Sequence, residues 1–170
     1  LHGDTLNCIE GVREVVDGWD HSDIHGCLIG LPVMNVPGFI TQERYLPIYE
    51  RDLNRAFPGK EDSTSAYRIA HRIYESFISP CDFGMDFHTS TRGRTNMFHV
   101  RADMDTKAVA RLARRFGSNL VIAGSGSEGM LRREATDDGI PTITIEMGEA
   151  HRFERQLIDE ALAGVRSVFA

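Results

Sequence analysis

The sequence contains few cysteines, no long apolar run and no excess of positive charge. Its three cysteines, Cys8, Cys27 and Cys81, are widely spaced and form no CxxC pair, which indicates reduced thiols packed as small core residues in a cytoplasmic protein. No stretch approaches the roughly 20 apolar residues that span a bilayer, and no charged-then-apolar signal segment is visible. The formal net charge of -6 excludes a general nucleic-acid binder, which needs basic residues to neutralise phosphates. Neither a membrane nor a nucleic acid is therefore expected as a partner.

The residues that are present fit one α/β domain over residues 1–170. With 41% hydrophobic and 26% charged residues, the chain is long enough to bury a core. Short apolar runs alternate with segments of helical period, which predicts a mostly parallel (mixed) sheet with helices on both faces. Predicted helices cover 7–16, 63–78, 106–116, 128–137 and 153–169, and predicted strands cover 27–34, 82–87, 96–100, 119–123 and 141–146. Residues 35–60 have no period, and so long a loop in a compact domain is usually functional.

Two histidines are candidate ligands of a zinc ion. His88 ends a predicted strand, where α/β sheets place their sites. His2 belongs to a loop that would normally follow a strand, and we expect that this upstream strand is absent from the chain. Asp86 precedes His88 by two residues and is placed to orient an imidazole. An isolated histidine is more often structural, so the zinc interpretation depends on the other polar residues of the sequence.

Three further motifs complete a set that is typical of metal-assisted hydrolysis of an anionic substrate. Asn54 and Arg55 place an amide beside a guanidinium, a combination that recognises carboxylates. Arg44, in the same irregular segment, is suited to stabilising charge on a carbonyl oxygen. Glu146 ends an apolar strand, where its carboxylate is placed to act as a general base on bound water. Each motif alone is compatible with an ordinary solvated loop.

The sequence also contains two motifs of weaker meaning. Residues 124–129 match GxGxxG between a predicted strand and helix, with Glu146 at the distance of a ribose-binding acid. A dinucleotide fingerprint usually has further βα units after it, whereas one strand and one helix remain here. Residues 103–106 match DxDxT but do not directly follow a buried strand, so we interpret them as a chance match. Of the other histidines, His99 and His151 are candidates for a pocket, and solvent exposure is expected for His21, His25 and His71.

Taken together, the motifs resemble the aspartoacylase/succinylglutamate desuccinylase family, which shares the zinc carboxypeptidase fold. They occur in the family's order and extend over most of the chain. The similar stretches are His2-Gly3-Asp4, Pro32–Phe39, Arg44–Pro47, Asp52–Gly59, Asp86–Thr89 and Ile145–Gly148. The resemblance also implies a small C-terminal β-domain, and we expect it to be absent from this chain.

This resemblance assigns a role to each candidate residue. It implies that His2 and His88 bind zinc, that Glu146 activates water and that Arg44 polarises the scissile carbonyl. It further implies that Asn54 and Arg55 hold a carboxylate of the substrate.

The sequence departs from the family at Thr5, where the family places a glutamate that is the third zinc ligand. A threonine is a poor ligand for zinc. Asp4 is the nearest carboxylate, and we predict that it replaces the missing ligand. The alternative is that the metal has two protein ligands and binds weakly or not at all.

We therefore predict a zinc-dependent deacylase that hydrolyses the amide (N-acyl) bond of a small carboxylate-bearing substrate. A homo-oligomer is compatible with this prediction. Three alternatives stay open: a metallocarboxypeptidase, a carboxylate-binding module whose catalysis is impaired at Thr5, and a dinucleotide-binding domain.

Overall fold

A computed structural model describes residues 1–19, 26–47 and 51–170 of the chain. Its helices are α1 (Leu6–Asp17), α2 (Val36–Thr41), α3 (Ser65–Ile73, continued by a π-helical turn over Tyr74–Ile78), α4 (Lys107–Phe116), α5 (Leu131–Asp137) and α6 (Arg155–Phe169). A 3₁₀ turn covers Leu53–Arg55. The strands are β1 (Gly84–Ser90), β2 (His99–Ala102), β3 (Val121–Ala123) and β4 (Thr142–Glu149).

The four strands form one mixed sheet in the order β1-β4-β2-β3. β1 pairs with β4 in parallel and β2 pairs with β3 in parallel, whereas β2 and β4 are antiparallel. β4 lies between two partners and is covered on both faces, so its apolar residues Ile143, Ile145 and Met147 are fully buried. This arrangement confirms the predicted α/β class with a mostly parallel, mixed sheet.

Helices cover both faces of this sheet because successive strand residues point to opposite sides. On one face, Ile143 and Ile145 pack into a core cluster with buried residues of α1, α4 and α6. α4 and α6 approach closely, since a Cβ on Gly164 would overlap the Phe116 ring. A second cluster joins α3, α5 and the segment around Leu53 and Phe57. None of the helices in the described residues is long and apolar enough to cross a membrane.

The predicted strand over residues 27–34 is wrong. All of these residues are described, and they form neither a helix nor a strand. The segment packs against α1, because a Cβ on Gly30 would overlap the Val16 side chain. A cleft of about 440 Å³, lined by this segment on one side and by residues 83–87 on the other, separates it from β1. Without a neighbouring backbone to pair with, an apolar run does not form a strand, and Pro32 also lacks a donor.

Candidate functional site

One face of the sheet carries two rows of polar side chains. In the first row, His88 on β1 and His99 on β2 are both in register with Glu146 on β4. In the second row, Asp86 and Arg101 are both in register with Thr144. Residues in register on neighbouring strands point to the same side of a sheet. The period of two therefore brings residues from three strands to one surface.

This surface forms the floor of a polar cleft of about 340 Å³. Six of the seven predicted site residues line the cleft, and Asp4 is not among the described residues that do so. The six are His2, Arg44, Asn54, Arg55, His88 and Glu146. The structure therefore brings together side chains that are up to 144 positions apart, from 2 to 146, in the sequence.

The two histidines meet edge to face in the cleft. Their ring centroids are 5.1 Å apart and the planes are inclined by 73°. His2 Nε2 lies 3.0 Å from Oδ1 of Asp52, and His88 Nε2 lies 2.7 Å from Oδ2 of Asp86. Each imidazole is thus fixed by a carboxylate through Nε2, as metal-ligating histidines commonly are. Nδ1 of His2 is buried and has no partner among the described residues, so it is available to a ligand.

Burial controls the protonation of His2. Burial lowers the pKa of His2 to about 3, although its hydrogen bond to Asp52 acts in the opposite direction. The imidazole is therefore neutral near pH 7, which is the form that binds a metal. Burial by itself would raise the pKa of Asp52, but the hydrogen bond and charge of His2 outweigh it and hold that pKa at about 2. The pKa of Asp86 is likewise below its usual value, because the contact with His88 outweighs burial.

Thr5 stands where the family resemblance implies a third metal ligand. Its hydroxyl donates to the carbonyl oxygen of His2 at 3.0 Å, and the residue is completely buried. Asp4 is also buried, with Oδ1 unpartnered in the described part of the chain. No group of three or more His, Cys, Asp or Glu side chains with the geometry of a metal site occurs among the described residues. The unpaired Nδ1 of His2 is a donor that fits a zinc ion, and the roles of His88 and Asp4 as further ligands stay predictions.

Arg44 reaches the cleft from a loop that packs directly on the His2 loop. Gly3 N donates to the carbonyl oxygen of Arg44 at 3.4 Å. A Cβ on Gly3 would overlap the backbone of Gly38, so glycine is required for this contact. Oδ1 of Asn35 caps α2 by accepting a hydrogen bond from Gly38 N at 3.0 Å. The side-chain amide nitrogen of Asn35 donates to the backbone carbonyl oxygen of Arg44 at 3.3 Å. Nη1 of Arg44 is buried without a partner among the described residues, which leaves a donor for a ligand.

Asn54 and Arg55 lie on the 3₁₀ turn and line the cleft. Asp52 begins this turn by accepting from Asn54 N at 2.9 Å, so the same carboxylate orients His2 and shapes the turn. Oδ1 of Asn54 accepts from Leu131 N at 2.9 Å, which leaves the amide nitrogen for a ligand. Arg55 is about half exposed. Its Nη1 donates to the carbonyl oxygen of Asn54 at 2.6 Å, which leaves Nε and Nη2 as donors for a ligand.

Glu146 is held from both sides by residues of the β2 region. Arg101 Nε donates to Oε1 at 3.2 Å, and the Asn96 amide donates to Oε2 at 3.1 Å. The carboxylate is mostly buried, with 14% of the side chain exposed. It is therefore fixed at the floor of the cleft, in register with His88.

Several residues of the cleft are not predicted by the sequence patterns. In the sequence, Asp52 is identified only as part of the Asn54 motif. No role is assigned there to Arg101, Asn96 or Arg132. Polar and apolar residues alternate over residues 99–102, His-Val-Arg-Ala, and this pattern could have indicated the polar face of β2. Nothing in the local sequence indicates Arg132, which reaches the cleft through the packing of α5.

The remaining histidines do not line the cleft within the described residues. His99 is buried, with Nδ1 hydrogen-bonded to the carbonyl oxygen of Met97 at 2.8 Å. His71 and His151 are partly buried. The expectation that His21 and His25 face solvent concerns positions outside the described residues.

Solved structures support the fold. The product-bound structure of the ectoine utilization protein EutE (DoeB) from Ruegeria pomeroyi is 25% identical, with a TM-score of 0.87 over 98% of this chain and 53% of that protein. A succinylglutamate desuccinylase/aspartoacylase from Rhodobacter sphaeroides, 24% identical, gives a TM-score of 0.85 over 98% of this chain and 51% of that protein. Murine aminoacylase 3 shares the fold at 17% identity, with a TM-score of 0.64 over 99% of this chain and 60% of that protein.

Sequence comparisons lead to the same family. N-alpha-acetyl-L-2,4-diaminobutyric acid deacetylase from Halomonas elongata is 29% identical over 91 residues, which are 54% of this chain and 27% of the deacetylase. The chain thus spans about a quarter of this curated relative and about half of the first two solved structures. The family model of the succinylglutamate desuccinylase/aspartoacylase catalytic domain matches residues 1–170. The chain belongs to the succinylglutamate desuccinylase/aspartoacylase catalytic-domain family.

Proposed function

We propose that the chain carries the catalytic site of a zinc-dependent deacylase, which hydrolyses the N-acyl amide bond of a small carboxylate-bearing substrate. The family and the named activities of its relatives, a deacetylase and a desuccinylase, support an amide hydrolase. Zinc and the substrate class are the parts that the proposal adds.

The observation that carries the proposal is the histidine pair. Two neighbouring imidazoles, each fixed by a carboxylate through Nε2, face a cleft that also contains Glu146 and Arg44. Nδ1 of His2 is buried without a hydrogen-bond partner in the described part of the chain, which leaves a neutral imidazole nitrogen for a metal. Nε2 of His99 is also unpartnered there, but His99 does not line the cleft.

The other residues then have distinct tasks. Asn54 and Arg55 bind the substrate carboxylate and align the amide with the histidines. The free Nη1 of Arg44 stabilises the negative charge that develops on the carbonyl oxygen. Glu146 takes a proton from the attacking water and returns it to the leaving amine. Zinc bound at His2 and His88 would supply Lewis-acid polarisation.

Zinc binding by the purified chain tests this proposal. We expect about one zinc per chain after dialysis against the metal, and hydrolysis of N-acyl amino acids that a chelator abolishes. His88→Ala should lose both zinc binding and hydrolysis, because a site with two histidine ligands would keep only one of them. His71→Ala, which changes a histidine on α3 outside the cleft, should lose neither. A metal-free wild-type chain that binds carboxylates through Arg55 would instead favour a binding module, the second candidate that Thr5 supports.

Two variants address the third ligand. Thr5→Glu restores the family's ligand and should tighten zinc binding by about 10-fold or more, since each protein ligand adds to metal affinity. Asp4→Ala should weaken zinc binding if Asp4 swings into the site. Unchanged affinity in Asp4→Ala would reject the predicted role of Asp4 and leave the two-histidine site intact.

A further inference from the structure

Asn7 is a buried amide that the proposed mechanism does not use. It lies in the first turn of α1, shortly after His2, and its side chain is completely buried. Its Nδ2 donates to the carbonyl oxygen of Met147 at 2.9 Å and to Oε2 of Glu154 at 3.3 Å. Its Oδ1 accepts from Glu154 N at 2.7 Å. The amide therefore uses both its nitrogen and its oxygen to bind the segment that follows Glu146.

Glu154 binds the same segment from the start of α6. It is the N-cap residue of α6, but its side chain does not cap the helix, which is the usual task of a polar side chain at this position. Instead, its Oε2 accepts from Asn7 and from Glu149 N, the latter at 3.2 Å. Gly148 has a φ of 73°, and a Cβ there would overlap Oε2 of Glu154. We refer to the side chains of Asn7 and Glu154 together as the clasp.

Two further hydrogen bonds join this segment to the elements that carry the histidines. His151 N donates to the carbonyl oxygen of Asp4 at 3.0 Å, so the loop before α1 is bound at a second point. Ser90 Oγ, at the end of β1, donates to the carbonyl oxygen of Gly148 at 3.1 Å. Residues 147–154 are all described, and none of them lines the cleft. The three elements that carry the predicted ligands and the base therefore meet outside the cleft.

The backbone at His151 shows that these contacts decide the path of the segment. Its φ is 58°, a left-handed conformation that is uncommon for a residue with a side chain. Such a conformation persists where the surrounding structure holds it. The segment after β4 is therefore shaped by its contacts with α1 and the loop before it, and not by local preference.

The clasp acts on two of the groups that the proposed mechanism uses. On β4 it holds the carbonyl oxygen of Met147, the residue next to Glu146. On α1 it holds the first turn, which directly follows the loop of His2. Catalysis depends on the distance between such groups, and a displacement of about 1 Å can lower a rate by about 100-fold.

We propose that Asn7 and Glu154 are positioning residues, which fix the place of Glu146 relative to His2 without contacting the substrate. The effect of the clasp on hydrolysis rests on the proposed function. Its effect on the backbone of residues 147–154 does not, so the two can be tested separately.

Asn7→Asp tests the clasp. The variant keeps the size of the side chain, removes the donor to Met147 and places a second carboxylate beside Glu154. Backbone hydrogen exchange, measured by NMR, should become about 10-fold or more faster at the amides of Glu154 and His151, because their local structure opens more easily. His151 is the informative amide, since its hydrogen bond is to Asp4 and not to Asn7. Exchange within the rest of β4 should not change.

The kinetic test uses the zinc-loaded chain and a panel of N-acetyl amino acids. In Asn7→Asp, kcat should fall about 100-fold. KM and zinc affinity should stay within about 3-fold of the wild type, because the residues that bind substrate and orient the imidazoles are unchanged. Adding Glu154→Gln should restore kcat about 10-fold, since the new amide can donate to the new carboxylate. Asn119→Asp is the matched control: Asn119 is exposed and outside the clasp, so this variant should behave as the wild type.

Unchanged exchange at His151 would overturn the clasp, as would an equal increase throughout β4, which would indicate a general loss of stability. A fall in zinc affinity as large as the fall in kcat, or no rescue by Glu154→Gln, would overturn the positioning role. Should Asn7→Asp fail to fold by circular dichroism, Glu154→Ala decides, because this partly exposed position is outside the core and the same faster exchange at His151 is required. A wild-type chain without zinc binding or hydrolysis contradicts the proposed function, and the exchange rates still decide the clasp.

Discussion

At the residue scale, the cleft depends on carboxylates that act through other side chains. The carboxylates of Asp52 and Asp86 each accept a hydrogen bond from the Nε2 of a histidine. Because Nε2 is occupied, the orientation of each ring is fixed, and in His2 the unpartnered Nδ1 is left for a ligand. A neutral His2, with its pKa at about 3, does not need to lose a proton before it can bind a metal at neutral pH.

Asp52→Asn tests this arrangement. The amide keeps the shape of the side chain but removes the negative charge that orients His2 and raises its basicity. We expect zinc affinity to fall by about 10- to 100-fold, the usual effect of removing a hydrogen-bond partner from a metal-ligating histidine. The measurement is competition with a fluorescent zinc chelator.

Asp62→Asn, at an exposed position outside the cleft, serves as the control and should bind zinc as the wild type does. Equal affinity in Asp52→Asn and Asp62→Asn would show that Asp52 does not support the metal site.

At the scale of elements, the loop before α5 joins the two walls of the cleft. Gly129 has a φ of 80°, and a Cβ there would lie 2.6 Å from the carbonyl oxygen of Arg55. The backbones of the loop and the 3₁₀ turn are therefore in direct contact. A side chain at this position would push the turn away from α5.

Gly129→Ala should both destabilise the protein and weaken the binding of butyrate, a small carboxylate. A left-handed conformation alone costs an alanine about 1 kcal/mol, and a clash with backbone adds to it, so we expect a loss of about 2–4 kcal/mol. Urea denaturation and calorimetric titration with butyrate measure the two effects.

Gly139→Ala separates strain from the clash. Gly139 also has a positive φ, 85°, but a Cβ added there would meet no described atom within 4 Å. This variant should lose only the ~1 kcal/mol of backbone strain and bind butyrate normally. Equal losses in the two variants would contradict the role given to the Arg55 contact.

At the scale of the whole molecule, a chain with a net charge of -6 forms a cleft in which arginines outnumber carboxylates. The cleft is lined by Arg44, Arg55, Arg101 and Arg132 and by the carboxylates Asp52 and Glu146. A general field of the molecule would repel anions, whereas the local field attracts them. If attraction within the cleft dominates, added salt should weaken anion binding. If repulsion by the net charge dominates, added salt should strengthen it.

Succinate binding should weaken as sodium chloride is raised from about 20 mM to about 500 mM, because the Debye length then shortens and screens attraction within the cleft. We expect the dissociation constant to rise about 3- to 10-fold over this range. Calorimetric titration at several salt concentrations provides the measurement. Tighter binding at high salt would show that repulsion by the whole molecule dominates.

The bounds predicted for the helices agree well with the structure, whereas one predicted strand does not form. The sequence predicts helices within about three residues at most ends, because their apolar period is local and strong: α4 and α6 start one and two residues after their predicted first positions. The predicted strand over 27–34 is wrong, because a strand needs a partner that composition does not reveal. Asp4 is the nearest carboxylate in the sequence, yet the cleft is lined by Asp52 instead.

The sequence by itself determined the α/β pattern and the chemical types of the site residues, since periodicity and motif order are properties of neighbouring positions. Only the tertiary structure decided which carboxylate contacts which imidazole, that Arg101 and Asn96 hold Glu146, and that Arg132 reaches the cleft. These contacts join residues tens of positions apart, and they form because register across β1, β4 and β2 and the packing of α5 on the 3₁₀ turn bring the side chains to one surface.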